Sequence, residues 1–174
     1  REIEVQLLDN DAFTGIDIAL FSAGASRSID FAPAAAAAGA VVVDNSSAFR
    51  MDPEIPLVVP EVNPDAIGEY KGRRIIANPN CSTIQMLIAI APVHAIAGIE
   101  RINVATYQSV SGAGSEGLEE LARQTMDRLS FKEVTPSVFA QPIAFNCIPV
   151  IDAMQDNDYT REEMKLHWET RKIM

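Results

Sequence analysis

The sequence lacks the features that mark several large classes of protein. Its two cysteines, Cys81 and Cys147, lie far apart in a chain of 174 residues, which indicates neither a disulfide framework nor a zinc site. No run reaches the roughly 18 consecutive apolar residues of a membrane span, and the first residues lack the apolar stretch of a signal peptide. We therefore expect a cytoplasmic protein with free thiols, no bound metal and no membrane partner.

Basic residues are also scarce. Lys and Arg number 14 against 24 Asp and Glu, which gives a formal net charge of −10. Such a charge argues against a nucleic-acid partner and repels anionic metabolites at long range. An anionic substrate would therefore need a few well-placed cations. The composition is otherwise that of a globular protein, long enough for one domain or parts of two.

The first part of the chain has the alternation of a parallel sheet. Apolar runs at residues 15–22 and 40–44 predict buried strands, and the alanine-rich segment 28–38 between them predicts a helix. This order indicates a βαβ unit, although the dinucleotide fingerprint Gly-x-Gly-x-x-Gly is absent. Ligands of such sheets bind at the carboxyl ends of the strands. Here those ends include Ser22, Ala23, Gly24 and Asn45.

Cys81 follows a third strand-like run, at residues 73–77, and precedes an apolar helix pattern at 84–96. A thiol at a helix start faces the positive end of the helix dipole and unpaired N–H groups, both of which favour the thiolate. Cys81 is thus a candidate nucleophile, with a small apolar residue packed under a helix as the alternative. Cys147 lies in the apolar, strand-like run 143–151 and is expected to be buried and unreactive.

Arg50 lies in a loop just after the second strand. Loops at strand ends are where anion-binding arginines occur, and an ordinary solvated arginine is the alternative. Near the C-terminus, residues 161–174 have a helical pattern that places Glu162 and Lys165 on one face. A surface ion pair is the simplest interpretation of these two residues.

The middle of the chain has a different character. Residues 99–111 alternate as a long strand would in an antiparallel sheet packed on one side. The small-residue loop 111–115 then opens a helix at 116–129. Such a helix start offers N–H groups to a phosphate or a ribose, but a tight turn with a serine cap explains the spacing equally well.

Four motifs, taken in this order, resemble the aspartate-β-semialdehyde dehydrogenase family. They are Val-Pro-Glu-Val-Asn at 59–63, Asn-Pro-Asn-Cys-Ser-Thr at 78–83, Thr-Tyr-Gln-Ser-Val-Ser-Gly-Ala-Gly at 106–114 and Glu-Glu-Met-Lys at 162–165. Related phosphorylating reductases typically have Gly-Cys-Tyr or Ser-Cys-Thr-Thr at the cysteine. Neither motif fits Asn80-Cys81-Ser82. The resemblance implies an α/β protein: an incomplete Rossmann-type parallel sheet in a partial NADP-binding domain at 1–80, then part of an α+β catalytic and dimerisation domain of the glyceraldehyde-phosphate-dehydrogenase-like type at 81–174.

The resemblance also implies an activity. Family members reduce β-aspartyl phosphate to aspartate semialdehyde and phosphate with NADPH, in lysine, threonine and methionine biosynthesis, as homodimers or homotetramers. By motif, Cys81 would form a thioester and Gln108 would orient the substrate. Glu162 would bind the substrate amino group, while Arg50 and Lys165 would hold the phosphate. The positions that match the NADP site are Ser22, Ala23, Gly24, Asn45, Ser111 and Gly112.

Three family features have no match in these 174 residues: the glycine-rich turn, the general-base histidine and the arginine that holds the substrate carboxylate. His94 and His167 stand in other contexts and are interpreted as structural. We therefore expect the chain to be a fragment that is inactive alone. Alternatives are an acyl-phosphate reductase with another substrate and a non-catalytic homologue that serves as a subunit. A cysteine hydrolase is disfavoured because no histidine or asparagine context supports a thiolate–imidazole pair.

Overall fold

The computed structural model describes residues 5–174. The chain forms two compact units. The first unit comprises the chain up to Glu100 together with Glu163–Met174, and the second comprises Arg101–Glu162. The helices among the described residues include none that is long and apolar enough to cross a membrane.

A parallel sheet of three strands lies at the centre of the first unit. Its strands are β1 (Ile18–Phe21), β2 (Val41–Asp44) and β3 (Ile75–Ala77), hydrogen-bonded in that order. In the register, Ile18 lies opposite Val41 and Val42 lies opposite Ile75. The predicted parallel sheet of an α/β protein is therefore confirmed, with strands shorter than the apolar runs that predicted them.

Helix α1 (Ala25–Ala37) connects β1 to β2 and packs against β2. Its alanines explain the close approach, because Ala32 and Ala35 are fully buried and present only a methyl group to the sheet. The core of the unit continues into the proline-rich segment after β2. There Leu57 bridges to Ala77 in parallel, so that this apolar stretch adds a minimal fourth strand beside β3.

Two further helices complete the first unit. Helix α2 (Cys81–Ala97) begins three residues before the apolar pattern that predicted it, and helix α4 (Arg161–Ile173) ends the described chain. Leu87 of α2 and Ile173 of α4 belong to the same buried apolar cluster as the sheet. Both helices therefore share one apolar core with the sheet.

The second unit contains helix α3 (Gly114–Leu129), preceded by a 3₁₀ turn at Val110–Ala113. The strands predicted at 99–111 and 143–151 are wrong, because both segments are irregular. In the later segment the amides of Ile143 and Ala144 donate to the side chain of Gln124, so a helix side chain takes the place of a neighbouring strand. In the earlier one, no described residue pairs with the alternating pattern.

Glu120 of α3 holds the loop at Ser137 and Val138 against that helix. Its carboxylate is buried and accepts hydrogen bonds from the amide and hydroxyl of Ser137 and from the amide of Val138. Burial alone would raise the pKa of Glu120. The backbone donors of Val138 and Ser137, with the Ser137 hydroxyl and the charge of Arg123, lower that pKa below its ordinary value. The carboxylate therefore contributes to stability in its ionised form.

We predict that Glu120→Gln lowers the free energy of unfolding by about 2 kcal/mol at neutral pH, because an amide nitrogen would face N–H donors. The folded-state pKa is lowered, so the stabilisation is present above the ordinary pKa of about 4.3 and is lost as the pH falls through the folded-state value. Urea unfolding of both proteins across this range measures the difference. A difference that stays constant down to low pH would show that the charge does not contribute.

Candidate functional site

The carboxyl ends of the three strands form one edge of the sheet, and polar side chains connect them. Asn45, just after β2, donates from Nδ2 to Oγ of Ser22, just after β1, over 3.4 Å. Its Oδ1 accepts a 2.7 Å hydrogen bond from Nδ2 of Asn78, which follows β3. The structure thus brings Ser22 and Asn45, two predicted cofactor-binding residues, into contact.

The end of β1 leads directly into α1 through exposed small residues. Ser22, Ala23 and Gly24 are all exposed. Gly24 is the N-cap of α1 with φ +91°, and no side chain caps this helix start. A β-carbon at Gly24 would meet no atom within 4 Å, so the space beside the helix start is open. These residues therefore fit the polar groups of a dinucleotide, which helix N–H donors can bind.

A buried carboxylate secures this edge of the sheet. Asp44, the last residue of β2, is fully buried and accepts a 2.6 Å hydrogen bond from Oγ of Ser28 in α1. Its second oxygen accepts a 2.8 Å hydrogen bond from Oγ of Ser46. Since each carboxylate oxygen has a hydroxyl partner, the charge is satisfied and the strand end is fixed to the helix.

Cys81 is the first residue of α2 and its side chain is exposed. The alternative that it packs under the helix is therefore wrong. The helix begins here because Asn80 acts as N-cap: its Oδ1 accepts hydrogen bonds from the amides of Ser82 at 2.9 Å and Thr83 at 3.3 Å. The capped start holds an accessible thiol at a fixed backbone position.

Arg50 is buried, with 9% of its surface exposed, so its interpretation as a solvated surface arginine is wrong. Its Nε donates to the carbonyl of Asn78 at 2.9 Å, and Nη2 donates to the carbonyl of Asn45 at 3.2 Å. Nη1 pairs with Oε1 of Glu169 at 3.1 Å. Because a guanidinium has five N–H donors, these bonds leave it able to bind an anion as well.

Sequence reasoning missed two residues of α4. Glu169, which is 2% exposed, accepts from Arg50 through Oε1 and from the amide of Asn80 through Oε2 at 2.7 Å. Lys172 donates from Nζ to the carbonyls of Arg50, Asp52 and Ile55 at 2.8, 2.6 and 2.8 Å. Their spacing could have indicated them: Glu169 lies four residues after Lys165, and Lys172 lies three residues after Glu169. All three therefore lie on one face of the helix.

The environment of Lys172 contains opposing electrostatic effects. Burial lowers its pKa, while the carboxylates of Asp52 and Glu69 act in the other direction. Its three carbonyl acceptors match the three donors of an ammonium group. Lys172 therefore fixes the loop that carries Arg50 to α4.

Glu162 and Lys165 lie on the first turns of α4. Glu162 is buried, so it is not the surface residue that the sequence suggested, and Lys165 is half-buried. Lys165 belongs to the first unit, together with Cys81 and Arg50.

The remaining predicted site residues lie in the second unit. Gln108, Ser111 and Gly112 are exposed and lie within five consecutive positions, at and just before the 3₁₀ turn that leads into α3. Nε2 of Gln108 donates to Oγ1 of Thr106 at 3.3 Å. Cys147 is also exposed, so the prediction that it is buried is wrong; the segment around it does not form the strand that would have covered it. The described residues include no group of three or more His, Cys, Asp or Glu that could hold a metal ion.

Comparison with known proteins gives a consistent result. A family model described as "Semialdehyde dehydrogenase, NAD binding domain" matches residues 1–70, and one described as "Semialdehyde dehydrogenase, dimerisation domain" matches residues 90–174. Aspartate-semialdehyde dehydrogenase 2 of Vibrio cholerae is 58% identical over 99% of the chain, and that of Bacillus subtilis is 51% identical over all of it. The chain belongs to the semialdehyde dehydrogenase family.

Solved structures of the family agree with the fold. Aspartate semialdehyde dehydrogenase II from Vibrio cholerae, described as complexed with ASA, superposes with a TM-score of 0.91 at 60% identity, covering 92% of this chain and 48% of that one. A probable aspartate-semialdehyde dehydrogenase from Pseudomonas aeruginosa gives 0.87 at 29% identity, covering 95% and 50%. The chain likewise spans 51% of the first Vibrio relative and 52% of the Bacillus one.

The family matches do not fix where the cofactor-binding part ends and the catalytic part begins. They place a nicotinamide-cofactor domain before residue 71 and a dimerisation domain after residue 89, with the segment between them unassigned. The division into a cofactor part at 1–80 and a catalytic part at 81–174 therefore stays a prediction.

We predict that Asn80→Ala lowers the free energy of unfolding by about 1 kcal/mol, because the amides of Ser82 and Thr83 lose their acceptor. Asn80→Ser is the control, since serine is also a good N-cap and should recover most of the loss. Urea unfolding followed by circular dichroism measures both variants. Equal stability of the alanine and serine variants would contradict the assigned cap.

Proposed function

We propose that the full-length protein catalyses the NADPH-dependent conversion of β-aspartyl phosphate to aspartate semialdehyde and phosphate, a step of amino-acid biosynthesis. The observation that carries this proposal is the exposed thiol of Cys81 on a capped helix start, which begins four residues after the last residue of β3. The names of the relatives support the same reaction. The description of the Vibrio structure supports the semialdehyde as ligand.

Cys81 is the proposed nucleophile. Its thiolate sulfur attacks the acyl carbon of the aspartyl phosphate, the bond from that carbon to the phosphate oxygen breaks, and phosphate leaves with the bonding electrons. The product is a thioester on Cys81, so that one difficult displacement is divided into two easier steps. Because the thiol is exposed, the substrate can reach it. The N-cap fixes the backbone that carries the thiol, so the sulfur is held in a defined position for attack.

Four other side chains are proposed to bind the remaining parts of the substrate. Arg50 and Lys165 are proposed to hold the phosphate, because the net charge of −10 makes local cations necessary. Glu162 is proposed to bind the substrate amino group, since a carboxylate pairs with an ammonium. Gln108 is proposed to orient the acyl group, to which an exposed amide can donate a hydrogen bond.

The cofactor residues are proposed to be Ser22, Ala23, Gly24 and Asn45 on the sheet edge, with Ser111 and Gly112 from the second unit. The uncapped start of α1 and the open space at Gly24 support the first group. When bound, a nicotinamide cofactor supplies the hydride that reduces the thioester. We infer NADP rather than NAD from the motif resemblance alone.

Assembly and location are further parts of the proposal. We infer a homodimer or homotetramer, supported by the family model for a dimerisation domain at residues 90–174. A reducing, cytoplasmic location is supported by two free thiols, both exposed.

We predict that Cys81→Ser in the full-length protein lowers kcat by about 1,000-fold or more, because a serine hydroxyl is a far weaker nucleophile. The measurement is the phosphate-dependent oxidation of aspartate semialdehyde with NADP. Cys147→Ser is a matched control, since that thiol is also exposed and the variant should keep the wild-type rate.

Iodoacetamide labelling tests the same proposal against the non-catalytic alternative. Both thiols are exposed, so access alone predicts similar labelling rates, whereas a nucleophile should react faster at Cys81. Mass spectrometry of the two peptides measures the ratio. Equal, slow labelling of both cysteines together with an active Cys81→Ser variant would refute the proposed function.

A further inference from the structure

Glu169 links the two groups on which the proposed chemistry depends. Its Oε1 accepts a 3.1 Å hydrogen bond from Nη1 of Arg50, and its Oε2 accepts a 2.7 Å hydrogen bond from the amide of Asn80. Arg50 is the proposed phosphate ligand, and Asn80 directly precedes the nucleophile. The carboxylate therefore has a separate oxygen for each partner.

The bond to Asn80 completes the start of α2. In a capping box, a carboxylate three residues inside the helix accepts from the N-cap amide. In α2 that position is occupied by Thr83, and the carboxylate that bonds the N-cap amide comes instead from Glu169 on another helix. Because the side chain of Asn80 caps Ser82 and Thr83 at the same time, the backbone on both sides of Cys81 is fixed.

The bond to Arg50 fixes the guanidinium. Arg50 and Glu169 form an ion pair whose side chains are 10% and 2% exposed. A buried charge that loses its partner is strongly unfavourable, so the pair holds each member in place. Lys172, three residues later on α4, adds three bonds to the loop that carries Arg50. The loop backbone and the guanidinium are thus anchored to the same helix.

We propose that Glu169 is a positioning residue, whose carboxylate sets the geometry between the phosphate-binding guanidinium of Arg50 and the backbone that carries the Cys81 nucleophile; this rests on the proposed function for the roles of Arg50 and Cys81. Glu169 would act through these two groups rather than on the substrate itself. Its two oxygens fix the two groups relative to each other. One acyl phosphate can then place its phosphate on Arg50 and its acyl carbon at Cys81 at the same time.

The test is Glu169→Gln in the full-length protein. Glutamine keeps the shape but replaces one acceptor oxygen by a donor nitrogen, which must face either Arg50 or the amide of Asn80. We expect hydrogen exchange of residues 78–83 to accelerate about tenfold, because the N-cap amide then faces either a donor nitrogen or a neutral, weaker acceptor oxygen. We expect kcat for phosphate-dependent oxidation of the semialdehyde to fall about 100-fold, with a raised KM for phosphate, because the two groups lose their fixed geometry.

Glu120→Gln is the matched control. It makes the same chemical change at a carboxylate that is also 2% exposed and also bonded to backbone amides, but in the second unit. We expect it to reduce stability while leaving exchange at 78–83, kcat and KM at wild-type values. If Glu169→Gln behaves in the same way, Glu169 is merely structural and the proposal is wrong. A lowered KM for phosphate would also refute it, since Glu169 would then compete with phosphate for Arg50.

A second variant covers the case in which Glu169→Gln fails to fold. Glu169→Asp keeps the charge that balances Arg50 but is one methylene too short to reach both partners. Faster exchange at 78–83 with reduced kcat supports the proposal, and wild-type values of both overturn it. If the wild-type protein lacks phosphate-dependent activity, the proposed function fails, but exchange at 78–83 still decides whether Glu169 positions the start of α2.

Discussion

The buried ion pair between Arg50 and Glu169 is the interaction on which the arrangement of the first unit most depends. It joins the loop after β2 to α4, and through the second oxygen of Glu169 it also reaches the start of α2. Removing either partner would leave a charge with little access to water, which costs several kcal/mol. The attraction between the two charges adds little net stability, because burying them is costly. The main effect of the pair is to restrict how the loop after β2, α2 and α4 pack, since both charges must be satisfied.

This constraint spans a long stretch of chain. Arg50 and Glu169 are 119 residues apart, and Asn80 and Glu169 are 89 apart. Closing such loops costs conformational entropy, which apolar burial in the same core helps to offset. Ile173 supplies that core contact, one turn beyond Glu169 on α4. In the folded chain, apolar burial and these polar contacts therefore act on the same helix.

Local sequence predicted the elements but not the contacts that organise them. Apolar runs predicted the three parallel strands, and the apolar pattern at 84–96 predicted helix α2, because these signals depend on neighbours within a few residues. Glu169 and Lys172 resemble ordinary surface residues of a charged helix, and only the tertiary structure shows their partners. The strands predicted at 99–111 and 143–151 failed for the same reason, since alternation reports a possible face and not the presence of a pairing strand.

Charge compensation by Glu169 also limits how Arg50 can act. Since the pair is close to neutral, and the chain carries a net charge of −10, long-range attraction of an anion to this site is weak. The proposed binding of a phosphate to Arg50 would then depend on directed N–H donors at short range, which require a correctly oriented anion. In an acidic protein, a neutralised but rigid guanidinium would discriminate against anions that cannot match its geometry.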